Sequence, residues 1–129
     1  MGKKILIADD EPNIVVSLEF LMNQKGYVVK VVSNGEDALK AVAEFGPDLV
    51  LLDVMMPRMS GYDVCQKLRE NPAWSGIRII MLSAKGRGVE VTKGIALGAD
   101  AYVTKPFSNR ELIARIGGLL GEDSAPETA

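Results

Sequence analysis

Histidine is absent from the 129-residue sequence, and cysteine occurs only once, at Cys65. Without histidine the chain cannot carry a His-based catalytic triad, a His-ligated metal ion or a phosphohistidine of its own. A single cysteine excludes an internal disulfide framework. The sequence also lacks a signal-peptide pattern at its start and any apolar run long enough to cross a bilayer, so we expect a cytoplasmic protein with no membrane partner.

The sequence has no large excess of charge of one sign, because 17 acidic residues are balanced by 15 basic residues and the net charge is -2. This balance offers no electrostatic footprint for nucleic acid, so we expect no direct nucleic-acid binding by this domain. Apolar residues make up 47% of the chain, enough at this length for one domain with its own core. Its chemistry must then use carboxylates, lysine, hydroxyl groups and the backbone.

Short apolar runs alternate along the chain with segments of helical spacing. Strands are predicted at Ile5 to Ala8, Val28 to Val32, Leu49 to Leu52, Ile77 to Leu82 and Ala101 to Val103. Helices are predicted at Pro12 to Gly26, Asn34 to Glu44, Ser60 or Gly61 to Asn71, Gly88 to Leu97 and Ser108 to Leu120. This alternation predicts an α/β fold, a doubly wound parallel sheet of five strands covered by five helices. Residues 1–120 would form the domain, and residues 121–129, GEDSAPETA, a flexible polar tail or the start of a linker.

Polar side chains follow four of the predicted strands. Asp9 and Asp10 come after the first strand, Asp53 after the third, Ser83 after the fourth and Lys105 after the fifth. Ligand sites of open parallel sheets lie beyond the carboxyl ends of the strands, so we expect these side chains to converge. Clustered carboxylates repel each other unless a cation intervenes, and Mg²⁺ is usually held by carboxylates together with phosphate oxygens. The set predicts a magnesium site where one aspartate attacks phosphorus while Lys105 and Ser83 bind phosphoryl oxygens.

Four motifs carry these residues, namely ILIADDE, LVLLDVMMPRMSG, IIMLSAK and GADAYVTKPF, and they occur in this order at the strand ends. Together they resemble the receiver domain of bacterial two-component response regulators, and the resemblance extends from Lys4 to Leu120. It implies the flavodoxin-like strand order 2-1-3-4-5. It also implies that Asp53 is the phosphoacceptor.

The same resemblance implies roles for the residues around Asp53. The Mg²⁺ ligands would be Asp9, Asp10, Asp53 and the Met55 backbone carbonyl. The phosphoryl group would be bound by Lys105, Ser83 and the Ala84 backbone. Ser83 and Tyr102 would form a switch pair, and the Lys105-Pro106 peptide is expected to be cis.

A receiver domain of this kind is a phosphoacceptor switch in a phosphorelay. The resemblance implies that a sensor histidine kinase or a phosphotransfer protein donates the phosphoryl group. Phosphorylation would then change the surface of the fourth helix, fifth strand and fifth helix. Such a domain catalyses only its own phosphorylation and dephosphorylation and is not otherwise an enzyme. The downstream target or output domain stays unknown at this point, and a phosphorylation-dependent homodimer is left open.

Three other functions compete with the phosphoacceptor switch. A phosphohydrolase of the haloacid dehalogenase type would need its nucleophile in a DxDx pattern after the first strand, and ADDEPN lacks that pattern. A flavin carrier would need a Ser/Thr-rich phosphate loop there, and the acidic site would repel the flavin phosphate. A pseudo-receiver that acts only as a protein-binding module remains the alternative, although the acidic residues, Ser83 and Lys105 are intact.

Overall fold

The computed structural model describes residues 2–84 and 88–121, and within them five strands alternate with five α-helices. The strands are β1 Lys4–Ala8, β2 Val28–Val32, β3 Leu49–Asp53, β4 Arg78–Ser83 and β5 Ala101–Thr104. The helices are α1 Pro12–Gln24, α2 Gly35–Phe45, α3 Gly61–Glu70, α4 Gly88–Ala96 and α5 Asn109–Leu119. Every predicted element is present within two residues at each end. A 3-10 turn at Pro72–Trp74 was not predicted, and the predicted polar tail, Gly121 excepted, lies outside the described residues.

All five strands are parallel and lie in the order β2-β1-β3-β4-β5, which confirms the predicted topology. β3 lies at the centre of the sheet, and each of its residues is buried. β2 is an edge strand, and Val28 is 46% exposed there. β2 nevertheless packs against both α1 and α2, so the predicted coverage of the sheet on both faces holds at this edge as well.

The two faces of the sheet are covered by different helices. Successive strand residues point to opposite faces, so the central strands divide their side chains between two cores. One core joins the sheet to α2 and α3 through Ala38, Val42, Val64, Cys65 and Leu68. The other joins it to α1 and α5 through Leu18, Met22, Leu112 and Ile116. This arrangement leaves the carboxyl ends of the strands open between the two helical layers.

Side-chain caps fix where three of the helices begin. Asn34, Ser60 and Ser108 each accept a hydrogen bond from the backbone N–H three residues further along, at 2.8, 3.2 and 3.0 Å. Pro12 is the first residue of α1, where its missing N–H costs no intrahelical hydrogen bond. The three side-chain caps therefore fix the first residues of α2, α3 and α5.

None of the described helices is long and apolar enough to cross a membrane.

Candidate phosphoacceptor and metal site

Three carboxylates converge beyond the carboxyl ends of β1 and β3. These strands are neighbours, with Ala8 opposite Leu52, so Asp9 and Asp53 follow the same edge. Asp9, Asp10 and Asp53 each offer one carboxylate oxygen, and these three atoms lie within 4.8 Å of one another. Asp9 and Asp53 are buried at 0% and 3% exposure, whereas Asp10 is exposed. The cluster therefore has two buried carboxylates and one carboxylate that faces the solvent.

The ammonium group of Lys105 lies inside this cluster. Its Nζ is 3.0 Å from Asp9 Oδ2 and 3.4 Å from Asp53 Oδ1, and it also forms an ion pair with Glu11 Oε1. The Lys105 side chain is only 10% exposed. Its backbone N–H donates to the Ser83 carbonyl at 2.7 Å, which aligns the residue after β5 with the end of β4. The Lys105-Pro106 peptide bond that follows is cis.

Burial and like charge perturb the ionisation of the site. Desolvation, followed by the negative charge of Asp9, raises the pKa of Asp53 from 3.8 to about 7. Lys105 and the Met55 N–H oppose this shift because they stabilise the ionised carboxylate. Desolvation acts to lower the pKa of Lys105, but its contacts with Glu11 and Asp9 outweigh that effect and the net pKa is raised. The Lys105 side chain is therefore held in its charged form, but its positive charge does not fully offset the burial of Asp53 and the negative charge of Asp9.

The donor set fits a hard divalent cation. Asp9 Oδ2 is fully buried, and its close contact among the described residues is the Lys105 ammonium 3.0 Å away, which Asp53 and Glu11 share. One shared ammonium leaves these desolvated carboxylates short of positive charge, which is costly unless a further cation binds. Mg²⁺ prefers oxygen ligands and is commonly held by one or two carboxylates with waters. Asp9, Asp10 and Asp53 are thus suitable ligands for Mg²⁺.

The loop after β3 is packed tightly against the phosphoacceptor candidate. A Cβ on Gly61, the first residue of α3, would lie 2.3 Å from the backbone oxygen of Asp53, so only glycine allows this approach. The Gly61 N–H donates to the Val54 carbonyl at 2.9 Å. Met55 donates its N–H to Asp53 Oδ1 at 3.4 Å and its side chain is 63% exposed. The role of the Met55 carbonyl as a metal ligand stays a prediction.

Ser83 and Tyr102 lie on the neighbouring strands β4 and β5. Ser83 ends β4 and is buried at 1% exposure, one residue beyond Leu82, which lies opposite Asp53 on the adjoining strand β3. Tyr102 is half-buried on β5, and its ring packs so closely on α4 that a Cβ on Gly94 would lie 3.0 Å from ring atom Cδ2. Ala84 is exposed directly after β4. The structure thus brings these residues to the predicted edge, and their roles in phosphoryl binding and switching stay predictions.

Sequence reasoning missed Glu11, although this residue contacts the Lys105 ammonium. The available signal was its position as the third carboxylate of ILIADDE, two residues after Asp9. Its backbone N–H donates to Asp9 Oδ1 at 2.9 Å, so the turn into α1 places the two acidic side chains around one cation. Glu11 therefore belongs to the site as a partner of Lys105.

A second charged cluster, also missed, lies at the opposite edge of the sheet. Arg69 of α3 pairs with Asp100 at 2.9 Å and donates to the Gly98 carbonyl at 2.9 Å. Asp100 also accepts the Ile79 N–H at 2.8 Å, which ties the start of β5 to the start of β4. Asp100 belongs to the GADAYVTKPF motif, yet its contacts are made away from the carboxylate cluster. This cluster is a structural clamp between α3 and the turn after α4.

Proteins of known family resemble this chain along nearly its whole length. The alkaline phosphatase synthesis transcriptional regulatory protein PhoP of Bacillus subtilis is 44% identical over 130 residues, covering 99% of this chain and 53% of PhoP. The DNA-binding response regulator MtrA of Mycolicibacterium smegmatis is 44% identical over 129 residues, covering 98% of this chain and 55% of MtrA. The chain thus spans about half the length of these relatives.

These relatives correct the prediction about partners. That prediction excluded direct nucleic-acid binding by this domain and left the output domain unknown, whereas one relative is named a DNA-binding response regulator and the other a transcriptional regulatory protein. The prediction is wrong because it took the partner class from a net charge of -2. That charge belongs to a chain that corresponds to about half of each relative, so it carries no information about the other half of those relatives.

Structural similarity and a family model lead to the same assignment. A crystal structure of a response regulator from Chloroflexus aurantiacus superimposes with a TM-score of 0.90 at 32% identity, covering 95% of this chain and 100% of that one. The model of the response regulator receiver domain matches residues 5–117, which include the carboxylate cluster, Ser83 and Lys105. The chain belongs to the response regulator receiver domain family.

Proposed function

We propose that this chain is a magnesium-dependent phosphoacceptor switch, in which Asp53 receives a phosphoryl group from a phosphohistidine of a sensor histidine kinase or phosphotransfer protein. One observation carries the proposal. Carboxylate oxygens of Asp9, Asp10 and Asp53 lie within 4.8 Å of one another, and the Lys105 ammonium lies 3.4 Å from Asp53 Oδ1. Family membership supports the same function, because the relatives are signalling regulators.

Mg²⁺ would be held by Asp9, Asp10, Asp53 and the Met55 backbone carbonyl. When bound there, the ion would supply positive charge that neutralises the carboxylates and the oxygens of an incoming phosphoryl group. Asp9 offers a buried carboxylate oxygen, and Asp10 offers an exposed carboxylate. Asp9 would therefore hold the ion on the buried side of the site, and Asp10 would hold it on the side that faces solvent.

Asp53 would act as the nucleophile. A carboxylate oxygen of Asp53 forms a bond to phosphorus while the bond from phosphorus to the donor nitrogen breaks. The reaction needs the ionised carboxylate, and the positive charges of Mg²⁺ and Lys105 would favour that form against the burial and the Asp9 charge that raise the pKa of Asp53. Lys105 would bind phosphoryl oxygens because its ammonium already lies beside Asp53, and Ser83 and the Ala84 backbone would donate hydrogen bonds to them.

Tyr102 and α4 would transmit the change to the surface. Movement of the Ser83 hydroxyl toward the phosphoryl group would free space at the end of β4, into which the Tyr102 ring could turn. That ring packs directly on Gly94 of α4, so its rotation must alter the packing of this helix. We therefore assign the output surface to α4, β5 and α5. A change at Asp53 would reach this surface because Ser83 and Tyr102 would each have two positions, one favoured before phosphorylation and one favoured after it.

The output controlled by this receiver would be the regulation of transcription. The relatives PhoP and MtrA are named for transcription and DNA binding, and this chain corresponds to about half of each. We propose that this receiver controls a DNA-binding region that is not part of these 129 residues. A cytoplasmic location, consistent with such an output, stays a prediction.

Intact mass spectrometry after incubation with acetyl phosphate and Mg²⁺ tests the proposed chemistry. Wild type should gain the mass of one phosphoryl group, and Asp53→Asn or an excess of EDTA should abolish the gain. Asp63→Asn, at an exposed position in the first turn of α3, is the matched control and should be modified like wild type. Modification of Asp53→Asn at the wild-type level would contradict the assignment. Failure of wild type to gain mass or to bind beryllofluoride with Mg²⁺ would favour the pseudo-receiver.

A further inference from the structure

Glu11 differs from the other carboxylates that contact the Lys105 ammonium. Asp9 and Asp53 are buried, whereas the Glu11 side chain is 54% exposed. Glu11 is also not among the three carboxylates whose oxygens lie within 4.8 Å of one another. The Lys105 ammonium thus has two buried partners in the cluster and one partner at the solvent-facing rim.

The ammonium and a divalent cation compete for the same carboxylates. Lys105 contacts Asp9 at 3.0 Å and Asp53 at 3.4 Å, and both residues belong to the group suited to bind Mg²⁺. Two cations that approach the same desolvated oxygens repel each other, so the ammonium must give way when the ion enters. Glu11 is the only described carboxylate outside the trio that pairs with this ammonium. It can therefore retain the ammonium close to the site after the buried partners are taken.

The ammonium has three N–H donors, so each new acceptor displaces an old one. Three carboxylates already surround Lys105, and a phosphoryl group on Asp53 would add further oxygens beside it. Glu11 is the most solvent-accessible of these partners, so water can solvate its carboxylate after the contact with Lys105 is broken. The contact with Glu11 is thus the one that gives way when Lys105 binds the phosphoryl group.

We propose that Glu11 is a positioning residue that holds the Lys105 ammonium at the rim of the site, favouring Mg²⁺ binding and opposing phosphoryl binding. This inference rests on the proposed function. Its two effects have opposite signs because the Glu11 carboxylate attracts a divalent cation and repels an anion. It also competes with the phosphoryl oxygens for Lys105. If Glu11 only supported the fold, its substitution would weaken the binding of Mg²⁺ and of the phosphoryl group together.

Glu11→Gln separates these effects. The amide keeps the size of the side chain and removes its charge, and the backbone N–H of residue 11 can still donate to Asp9. We expect Mg²⁺ affinity to fall by about twofold to fivefold, the size of one half-exposed ionic contact. With Mg²⁺ saturating, we expect affinity for beryllofluoride, an anionic mimic of the phosphoryl group, to rise by about twofold to fivefold.

Glu36→Gln is a matched control for this substitution. The Glu36 side chain is 53% exposed and pairs with Arg58 at 3.1 Å, so it matches Glu11 in chemistry and exposure. Among the contacts of the described residues, Glu36 makes none with Lys105. Two-dimensional ¹H–¹⁵N NMR titrations would give both dissociation constants for wild type and the two variants. Thermal unfolding would establish that all three are equally folded. The control should leave both constants at their wild-type values.

The outcomes distinguish this inference from the proposed function. Opposite changes in the two affinities, confined to Glu11→Gln, would support the positioning role. Unchanged constants, changes of the same sign, or equal changes in Glu36→Gln would overturn it. A wild type that binds Mg²⁺ but no beryllofluoride would instead refute the phosphoacceptor function itself.

Discussion

Without Mg²⁺, the carboxyl group of Asp53 should make the fold less stable as pH rises. Burial and then the charge of Asp9 raise the pKa of Asp53 from 3.8 to about 7 in the folded protein. Between these values the unfolded chain has released the Asp53 proton while the folded chain still holds it. The unfolded state then binds fewer protons, so the free energy of unfolding falls as pH increases. This loss starts near pH 4 and is complete above about pH 7.

The size of the effect follows from the two pKa values. They differ by about three units, and each unit corresponds to 1.36 kcal/mol, so full ionisation costs the fold about 4 kcal/mol. Asp53→Asn keeps the shape of the side chain and cannot ionise. The stability of this variant relative to wild type should therefore increase by about 4 kcal/mol between pH 4 and pH 8.

Urea unfolding in the presence of EDTA, repeated at each pH unit, measures this difference directly. Asp63→Asn controls for the substitution itself, because this aspartate is exposed at the start of α3. Saturating Mg²⁺ at pH 8 should remove most of the advantage of Asp53→Asn, since wild type gains a ligand that neutralises its carboxylate. A constant difference between Asp53→Asn and wild type across this pH range would refute the argument from burial and like charge.

Three further substitutions test the packing around the site. Gly61→Ala should cost about 1–3 kcal/mol in thermal unfolding, because a Cβ would lie 2.3 Å from the Asp53 carbonyl oxygen. Its control, Gly118→Ala, has open space inside α5 and should stabilise by about 0.5–1 kcal/mol, and similar effects of both would contradict the close approach. Arg69→Met should cost about 1–3 kcal/mol in urea unfolding through its lost charged hydrogen bonds, and a neutral effect would count against the clamp. Ser108→Ala should cost about 0.5–2 kcal/mol by circular dichroism melting, since the cap of α5 is lost, and an unchanged melting curve would argue against that cap.

The fold could be predicted from sequence because each element carries a local signal. Val28–Val32 is bounded by turn residues, and Pro12 and Ser108 are typical of helix starts. The strand order followed from the family resemblance, since no local signal decides which strand lies beside which. The 3-10 turn at Pro72–Trp74 was missed because it is a single turn, too short to show a hydrophobic period.

The candidate site could be predicted only as a set of residues at one edge of the sheet. The parallel topology brings Asp9, Asp53 and Lys105 together, because each follows the carboxyl end of a strand. Sequence position does not say which side chains then touch, so the pairing of Glu11 with Lys105 was not predicted. The Arg69 to Asp100 contact was missed for the same reason, since 31 residues separate its partners.

Partners were the least predictable property, because the charge of this chain carries no information about the other half of relatives such as PhoP and MtrA. Within the chain, a net charge of -2 conceals an uneven distribution, because Asp9, Glu11 and Asp53 contact the Lys105 ammonium and Asp10 lies beside Asp9 and Asp53. That local imbalance, and not the average, decides which ligand the surface can bind.

The same imbalance links the chemistry of the site to a change at its surface. Four carboxyl groups and one ammonium in the same cluster favour a divalent cation, which would supply the missing positive charge. A phosphoryl group on Asp53 then replaces one carboxylate charge with about two negative charges and several acceptor oxygens. Lys105 cannot serve these oxygens and also keep all three of its present partners. Some contact of the ammonium must therefore break on phosphorylation. Because Lys105 directly follows β5, and Tyr102 of that strand packs on α4, the rearrangement would begin next to the proposed output surface.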